Sequence, residues 1–242
     1  MNSNDIFYSQ FGEDKFLAKV FDKKSGCCVE VGGFDGITGS TTFYFENIGW
    51  ECLVVEPVPQ FYQKIITNRR CKAVNYAASS FEGEIDFFVA EGADMLSSLT
   101  PDLSRIKSEG GIINKIRVKA KTLDSILEEN NIRDIDFLSI DVEGHELDVL
   151  KGFSISRFNP RILVIENNDM GIDNSINDYL KQFDLVRFKI TGCNEWYTHR
   201  ENKSFYSKSS ILQIESYVTY MKFFRLGKRF AKAVLYKLNI LE

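Results

Sequence analysis

Ser139-Ile140-Asp141-Val142-Glu143-Gly144-His145-Glu146 follows the apolar run Ile135-Asp136-Phe137-Leu138 and leads into Leu147-Asp148-Val149-Leu150-Lys151-Gly152, whose apolar residues recur at helical spacing. The segment reads as the carboxyl end of a buried strand turning into a helix. Three carboxylates and one of the chain's two histidines fall within six residues there. Acidic groups at the margin of a core are costly unless something uses them. In open α/β sheets that margin is where ligands bind.

Working outward, the same pattern repeats. Residues 27–31 form an apolar run interrupted only by Glu30, then the turn Gly32-Gly33-Phe34-Asp35-Gly36 and a helix expected over about 40–47. Residues 51–56 make the next strand, which Pro57 and Pro59 stop. A helix over 60–68, a third strand over 73–77 and a hairpin arm over 85–90 follow. Residues 91–111, with three glycines and several serines, read as a long loop holding a partial helix. A short strand over 116–120 precedes a helix over 122–129 capped by Thr122. Strands over 135–141 and 161–166, a helix over 175–183 and an antiparallel pair over 185–191 and 196–199 complete the body. Alternation of strand and helix predicts a doubly wound α/β sheet.

The 242 residues suffice for one sizeable α/β domain, placed at residues 1–210, with residues 211–242 as a helical tail. A net charge of −4 gives no reason to expect nucleic acid as a partner. The polar start implies no secretory signal, and no apolar run is long enough to span a bilayer, so a cytoplasmic location is expected. Five cysteines, an odd number without a Cys-x-x-Cys, read as reduced thiols rather than a zinc site. From residue 217 onward there are six basic residues and one acidic residue, leaving about −9 for the rest. Lys222, Arg225, Arg229 and Lys232 recur as a helical stripe, with Tyr217, Met221, Phe224, Ala231, Leu235 and Leu238 on another side. Such a tail suits packing, self-association or peripheral contact with the inner membrane surface.

The first strand, turn and helix ask for a nucleoside. The turn fails the dinucleotide pattern G-x-G-x-x-G, because Phe34 stands at the second glycine's place. Acids before it (Glu30) and inside it (Asp35) suit a cationic ligand better than a pyrophosphate. Glu56, ending the second strand, is placed to accept ribose hydroxyls. A ribose, a positive centre and no phosphate describe S-adenosylmethionine. Glu30, Gly32, Gly33 and Asp35 would surround its methionine end, Glu56 its ribose, and Ala78 at the third strand's end its adenine.

The segments Ser9-Gln10-Phe11-Gly12-Glu13-Asp14, VEVGGFDG (29–36), VVEPVP (54–59), Ser97-Ser98-Leu99, TLDSIL (122–127), SIDVEGHELDVLKGF (139–153) and VIENN (164–168) resemble, in this order, the FkbM family of S-adenosylmethionine-dependent methyltransferases. The resemblance runs from about residue 9 to about 200 and leaves out the basic tail. It implies a Rossmann-like class I methyltransferase fold with a mostly parallel seven-stranded sheet, helices on both faces and a reversed last strand. It also implies O-methyl transfer, commonly to a hydroxyl of a sugar or another metabolite, and a contact from Gln10 to the methionine carboxylate.

An alcohol needs a base, a metal or both to act as a nucleophile at neutral pH. Asp141 ends one strand; Glu166, followed by Asn167, ends the next. Together they offer hard oxygen ligands for Mg²⁺ or another divalent cation, or direct contacts to the acceptor. Asp141 is the expected essential residue, with His145 or Glu143 as the base. Ser97, Ser98 and Asp124 are candidates for shaping the pocket, and Trp196 and Tyr197 for stacking on a sugar, with core or capping roles as the alternatives. A nicotinamide-dependent sugar oxidoreductase and a non-catalytic cofactor-binding assembly subunit are the competing readings.

Overall fold

In the computed structural model, Cys27–Val31 (β1) and Glu51–Val55 (β2) run parallel, with Cys27 opposite Glu51 and Val31 opposite Val55. The structure describes residues 5–22, 24–99, 101, 103–169 and 173–237, and, among these, side chains other than those of 104, 105 and 229–237. The chain forms two compact units, Met1–Glu166 and Asn167–Glu242.

In the first unit, Lys72–Val74 (β3) pairs parallel with β2, Phe137–Ile140 (β7) with β1, and Ile162–Glu166 (β8) with β7. Every residue of β7 and β8 is buried, as expected of parallel strands covered on both faces. Helices Glu13–Val20 (α1), Phe43–Asn47 (α2), Pro59–Asn68 (α3), Leu123–Glu129 (α5), Glu146–Lys151 (α6) and Ile155–Phe158 (α7) are interleaved with these strands. Thr122 caps α5 as expected, its Oγ1 accepting from Ser125 N at 3.2 Å.

A second, three-stranded sheet was not anticipated. Ala77–Ser79 (β4) lies parallel to the end of Ile112–Thr122 (β6), and Gly83–Glu91 (β5) runs antiparallel along all of it. The strand expected over 73–77 is therefore two strands in two sheets. Asn75 makes the break: its Nδ2 donates to the carbonyls of Glu56 and Pro57 at 2.8 and 2.9 Å. The expected short strand over 116–120 is eleven residues long. Its charged face hid it: Lys115 pairs with Asp86 at 2.7 Å and Arg117 with Glu84 at 3.5 Å across the ladder. The loop expected over 91–111 contains a 3₁₀ turn at Asp94–Leu96 and a helix, Leu103–Ser108 (α4).

The helix expected over 40–47 starts only at Phe43, because Ser40, Thr41 and Thr42 are occupied with Glu30. Glu30 accepts from Ser40 Oγ (2.7 Å), Thr41 N (2.7 Å), Thr41 Oγ1 (3.0 Å), Thr42 Oγ1 (2.6 Å) and Arg69 Nη1 (3.2 Å). Arg69 also donates from Nε to Glu46 at 2.8 Å, and its side chain is fully buried. Removing one partner from a buried ion network leaves uncompensated charge, which typically costs about 3–5 kcal/mol. Arg69→Met is expected to destabilise the protein by about that amount in urea denaturation. A loss below roughly 1 kcal/mol would show that water reaches and screens the two glutamates.

Among the described residues the cysteines form no disulfide; Cys28 and Cys52 are buried, with their sulfurs 3.1 Å apart across β1 and β2.

The second unit holds Ser175–Lys181 (α8), the antiparallel pair Leu185–Thr191 (β9) and Asn194–His199 (β10), and Lys208–Lys237 (α9). Seven strands thus carry the fold, five parallel in the first unit and two antiparallel in the second. Trp196 and Tyr197 are fully buried, so their role is core packing and not stacking on a ligand. Arg187, buried beside them, pairs with Glu195 at 2.6 Å and with Glu215 of α9 at 3.1 Å. Within the expected basic stripe, Arg225 Nη1 donates to the Asn168 carbonyl at 2.8 Å. The side chains of Arg229, Ala231, Lys232, Leu235 and Lys237, and residue Leu238, lie outside the described residues.

Candidate active site

Two glycines set the close approach at the head of β1. Gly32 N donates to Val55 O and Asp141 N to Val31 O, both at 2.9 Å, so the ends of β1, β2 and β7 are tied together. Gly32 has φ +93°, and a Cβ on it would stand 1.8 Å from the Asp141 carbonyl oxygen. A Cβ on Gly33 would stand 2.3 Å from Val54 Cγ1. The amides beyond the turn point at Glu56, whose Oε2 accepts from Gly33 N (3.2 Å) and Phe34 N (3.0 Å) and whose Oε1 accepts from Val58 N (2.8 Å). Burial pushes the Glu56 carboxyl up to about 7 against the opposing pull of these three amides.

The other residues expected at the cofactor divide. Asp35 closes the turn on itself, accepting from Ile37 N, Thr38 N and Thr38 Oγ1 at 2.9, 2.7 and 2.8 Å. Burial raises its pKa, but these bonds and Lys64 outweigh that and hold it below the ordinary value. Glu30 has five donors on a carboxylate with about four lone-pair sites, so its capacity is spent inside the protein. Gln10 is exposed on a turn next to Ser9, which bridges Gly39 of the glycine loop. Asp14 fixes that segment, accepting from Tyr8 N and from Ser9 N and Oγ at 2.5, 3.2 and 2.6 Å.

Beside the turn lies a mostly apolar cleft, lined among others by Gly32, Pro57, Tyr76, Ala78, Leu99 and His145. Ala78 lies on the wall of this cleft, in β4 of the second sheet and not at the end of the third strand. His145 closes one side, with Nε2 3.3 Å from Ser79 Oγ and Nδ1 3.5 Å from Asp148. Burial lowers its pKa more than Asp148 raises it, so the ring is neutral at pH 7 and able to accept a proton.

The acids of the loop after β7 converge elsewhere. Asp141, Glu143 and Glu166 each bring a carboxylate oxygen to within 4.8 Å of the other two. Two devices hold this loop. Glu143 adopts φ +52°, and its carbonyl accepts from Ser98 Oγ at 2.8 Å. Buried Glu146 accepts from Val142 N and Gly144 N at 3.2 and 2.9 Å. Glu146 was not singled out from the sequence; an acid at the first turn of a helix just after a glycine is the signal for such a clamp. Of the loop candidates, Ser98 holds Glu143, whereas Ser97 caps the turn at Asp94 and Asp124 accepts from Ser154 N at 2.6 Å, both local structure. Asn167 belongs to the second unit, where its Oδ1 accepts from Asp169 N at 3.1 Å and its N donates to Cys193 O.

Burial, followed by the charges of Asp141, Glu143 and Glu146 and a hydrogen bond to Asp141, holds the Glu166 carboxyl well above the ordinary carboxylate range. Burial likewise raises Glu146. Acids with raised folded-state pKa values contribute stability that is fully present below about 4.5 and is lost as pH rises through the folded pKa. For Glu56, moving from 4.5 to about 7 at about 1.4 kcal/mol per tenfold change in proton affinity corresponds to roughly 3 kcal/mol. The depressed His145 opposes this only below about 6.5. The ligand-free protein is thus expected to lose denaturation stability between pH 5 and pH 8, and Glu166→Gln to flatten the slope. Stability that rises across this window would contradict the assignment.

The Methyltransferase FkbM domain matches residues 30–194. No curated protein sequence matches the chain. Among solved structures, a TehB-like SAM-dependent methyltransferase from Corynebacterium glutamicum ATCC 13032 is 12% identical, covering 82% of this chain and 91% of its own, with a TM-score of 0.41. Precorrin-6y C5,15-methyltransferase from Geobacter metallireducens GS-15 is 11% identical over 81% of this chain and 90% of its own, with a TM-score of 0.43. With the domain matched from the Glu30 strand to the antiparallel pair, the chain belongs to the FkbM family of S-adenosylmethionine-dependent methyltransferases.

Proposed function

We propose that this chain methylates a hydroxyl group, with a sugar of a glycan or glycoconjugate as the acceptor. The observation that carries the reading is the convergence of Asp141, Glu143 and Glu166 next to the cleft, Asp141 and Glu143 flanking the cleft residue Val142. Carboxylates accept hydrogen bonds and protons, and a sugar presents hydroxyls that donate both. S-adenosylmethionine, when bound, supplies an electrophilic methyl group. The cleft fits it: Tyr76 and Ala78 on its wall would cover an aromatic base, and Glu56 beside the turn would hold ribose hydroxyls. Family membership removes the nicotinamide reading. A non-catalytic role is excluded by any turnover.

In this reading the two candidate bases have different tasks. Glu143 stands with Asp141 and Glu166 and takes the acceptor proton. His145 belongs to the cleft wall with Ser79 and orients the donor. The test is mass spectrometry of surface glycans from cells with and without the gene. One methyl group missing from a defined saccharide in the deletion strain supports the reading; unchanged glycans alongside a changed small metabolite would move the acceptor to that metabolite.

A second reading adds a divalent cation, favoured by three hard carboxylate donors within 4.8 Å. Glu143 then takes the third place that the sequence gave to Asn167. Transfer would be lost in excess chelator and restored by Mg²⁺ or Mn²⁺. Full activity in chelator would leave the cluster as a proton-sharing set that acts on the acceptor directly.

A further inference from the structure

Helix α9 has two opposed faces. One is held by its own unit: Val218 is buried, Glu215 pairs with buried Arg187, and Arg225 donates to the Asn168 carbonyl. At 3.6 residues per turn, Leu212, Tyr220 and Phe223 fall on the opposite side. They are 68%, 61% and 70% exposed. Large apolar side chains gathered on an outward face are a marker of an interaction surface. Lys228, which is exposed, stands on one flank of this strip.

We propose that this face lies on an anionic lipid surface, its aromatic residues at the headgroup boundary and Lys228 at the phosphates. Charge decides between this occupant and a second copy of the chain. From residue 217 onward the sequence carries six basic residues and one acidic residue, so two such helices repel each other while an anionic membrane attracts each one. Aromatic residues flanked by lysine suit the membrane–water interface. No helix among the described residues is long and apolar enough to cross a membrane, so α9 lies along the surface. The inference is independent of which hydroxyl is methylated.

The test is co-sedimentation of the full-length protein with phosphatidylcholine vesicles, with and without about one third phosphatidylglycerol. Binding is expected only to the anionic vesicles and is weakened on going from about 0.1 M to about 0.5 M salt. At roughly fivefold per basic residue, Lys228→Glu weakens it at least ~5-fold. Tyr220→Ser with Phe223→Ser weakens it by at least ~10-fold. All three side chains are exposed, so thermal melts are expected to stay at the unaltered protein's value. Equal partition onto the two vesicle types, or no partition, overturns the proposal. A dimer in sedimentation equilibrium that Phe223→Ser dissolves, without lipid binding, would assign the face to a second copy instead.

Discussion

Asp141→Asn is expected to lower kcat/KM for methyl transfer by about 10²–10⁴ while leaving S-adenosylmethionine affinity within a few-fold. The substitution keeps the shape and the backbone amide that bonds Val31 O. It removes the charge that, with Glu143, faces Glu166. Losing it weakens proton acceptance from a hydroxyl, and cation binding if a cation is held there. Glu143→Gln is expected to act on kcat in the same way. His145→Ala provides the contrast: its ring lies on the cleft wall against Ser79, so the loss is expected mainly in cofactor affinity. Calorimetry with S-adenosylmethionine and single-turnover kinetics separate the cases. If His145→Ala cuts kcat more than Glu143→Gln does, with cofactor binding intact, the base is the histidine and the assignment fails.

Gly32→Ala is expected to cost about 2–6 kcal/mol, combining positive-φ strain with forced overpacking. Its Cβ would stand 1.8 Å from the Asp141 carbonyl oxygen and 2.9 Å from the carbonyl carbon, both rigid backbone. The only relief is to spread the ends of β1 and β7. That displaces the cofactor turn and the acidic loop together, so cofactor binding falls with stability. Gly39→Ala is the control. Gly39 also has positive φ (+73°), but nothing lies within 4 Å of its Cβ position. It carries the conformational term alone, about 1–2 kcal/mol. Denaturant midpoints for the pair decide: equal losses would mean that the strand ends yield and that Gly32 is needed only for its φ.

These effects meet at one place because strand ends in a parallel sheet bring distant segments together. Several of the segments were readable one at a time. The acid-rich turn at 141–146, the glycine turn at 32–36 and the acid at 56 each sit where apolar periodicity ends, so their position at a sheet edge follows from period and punctuation alone. The same local signals marked β1, β2, β7, β8, the Thr122 cap and the closing hairpin.

Other features depended on partners far away in the chain. Glu30 and Glu56 are both acids at strand ends, and nothing local tells them apart. Glu30 became structural because Arg69, thirty-nine residues on, and three consecutive hydroxyl residues saturate its carboxylate. Glu56 holds the turn because Gly33 and Phe34 present their amides to it. The second sheet escaped notice because one face of β5 and β6 is charged and linked by cross-strand ion pairs, which mask the apolar alternation of the other face.

By itself, then, the sequence determined the alternation of strands and helices around the parallel strands, and the family, since these follow from local pattern and motif. Tertiary structure alone decided which acids meet. Asp141, Glu143 and Glu166 converge, while His145, four residues past Asp141, turns into the cleft. The physical reason is the positive-φ turn at Glu143 and Gly144, clamped by Ser98 and Glu146, which sends neighbouring side chains in different directions.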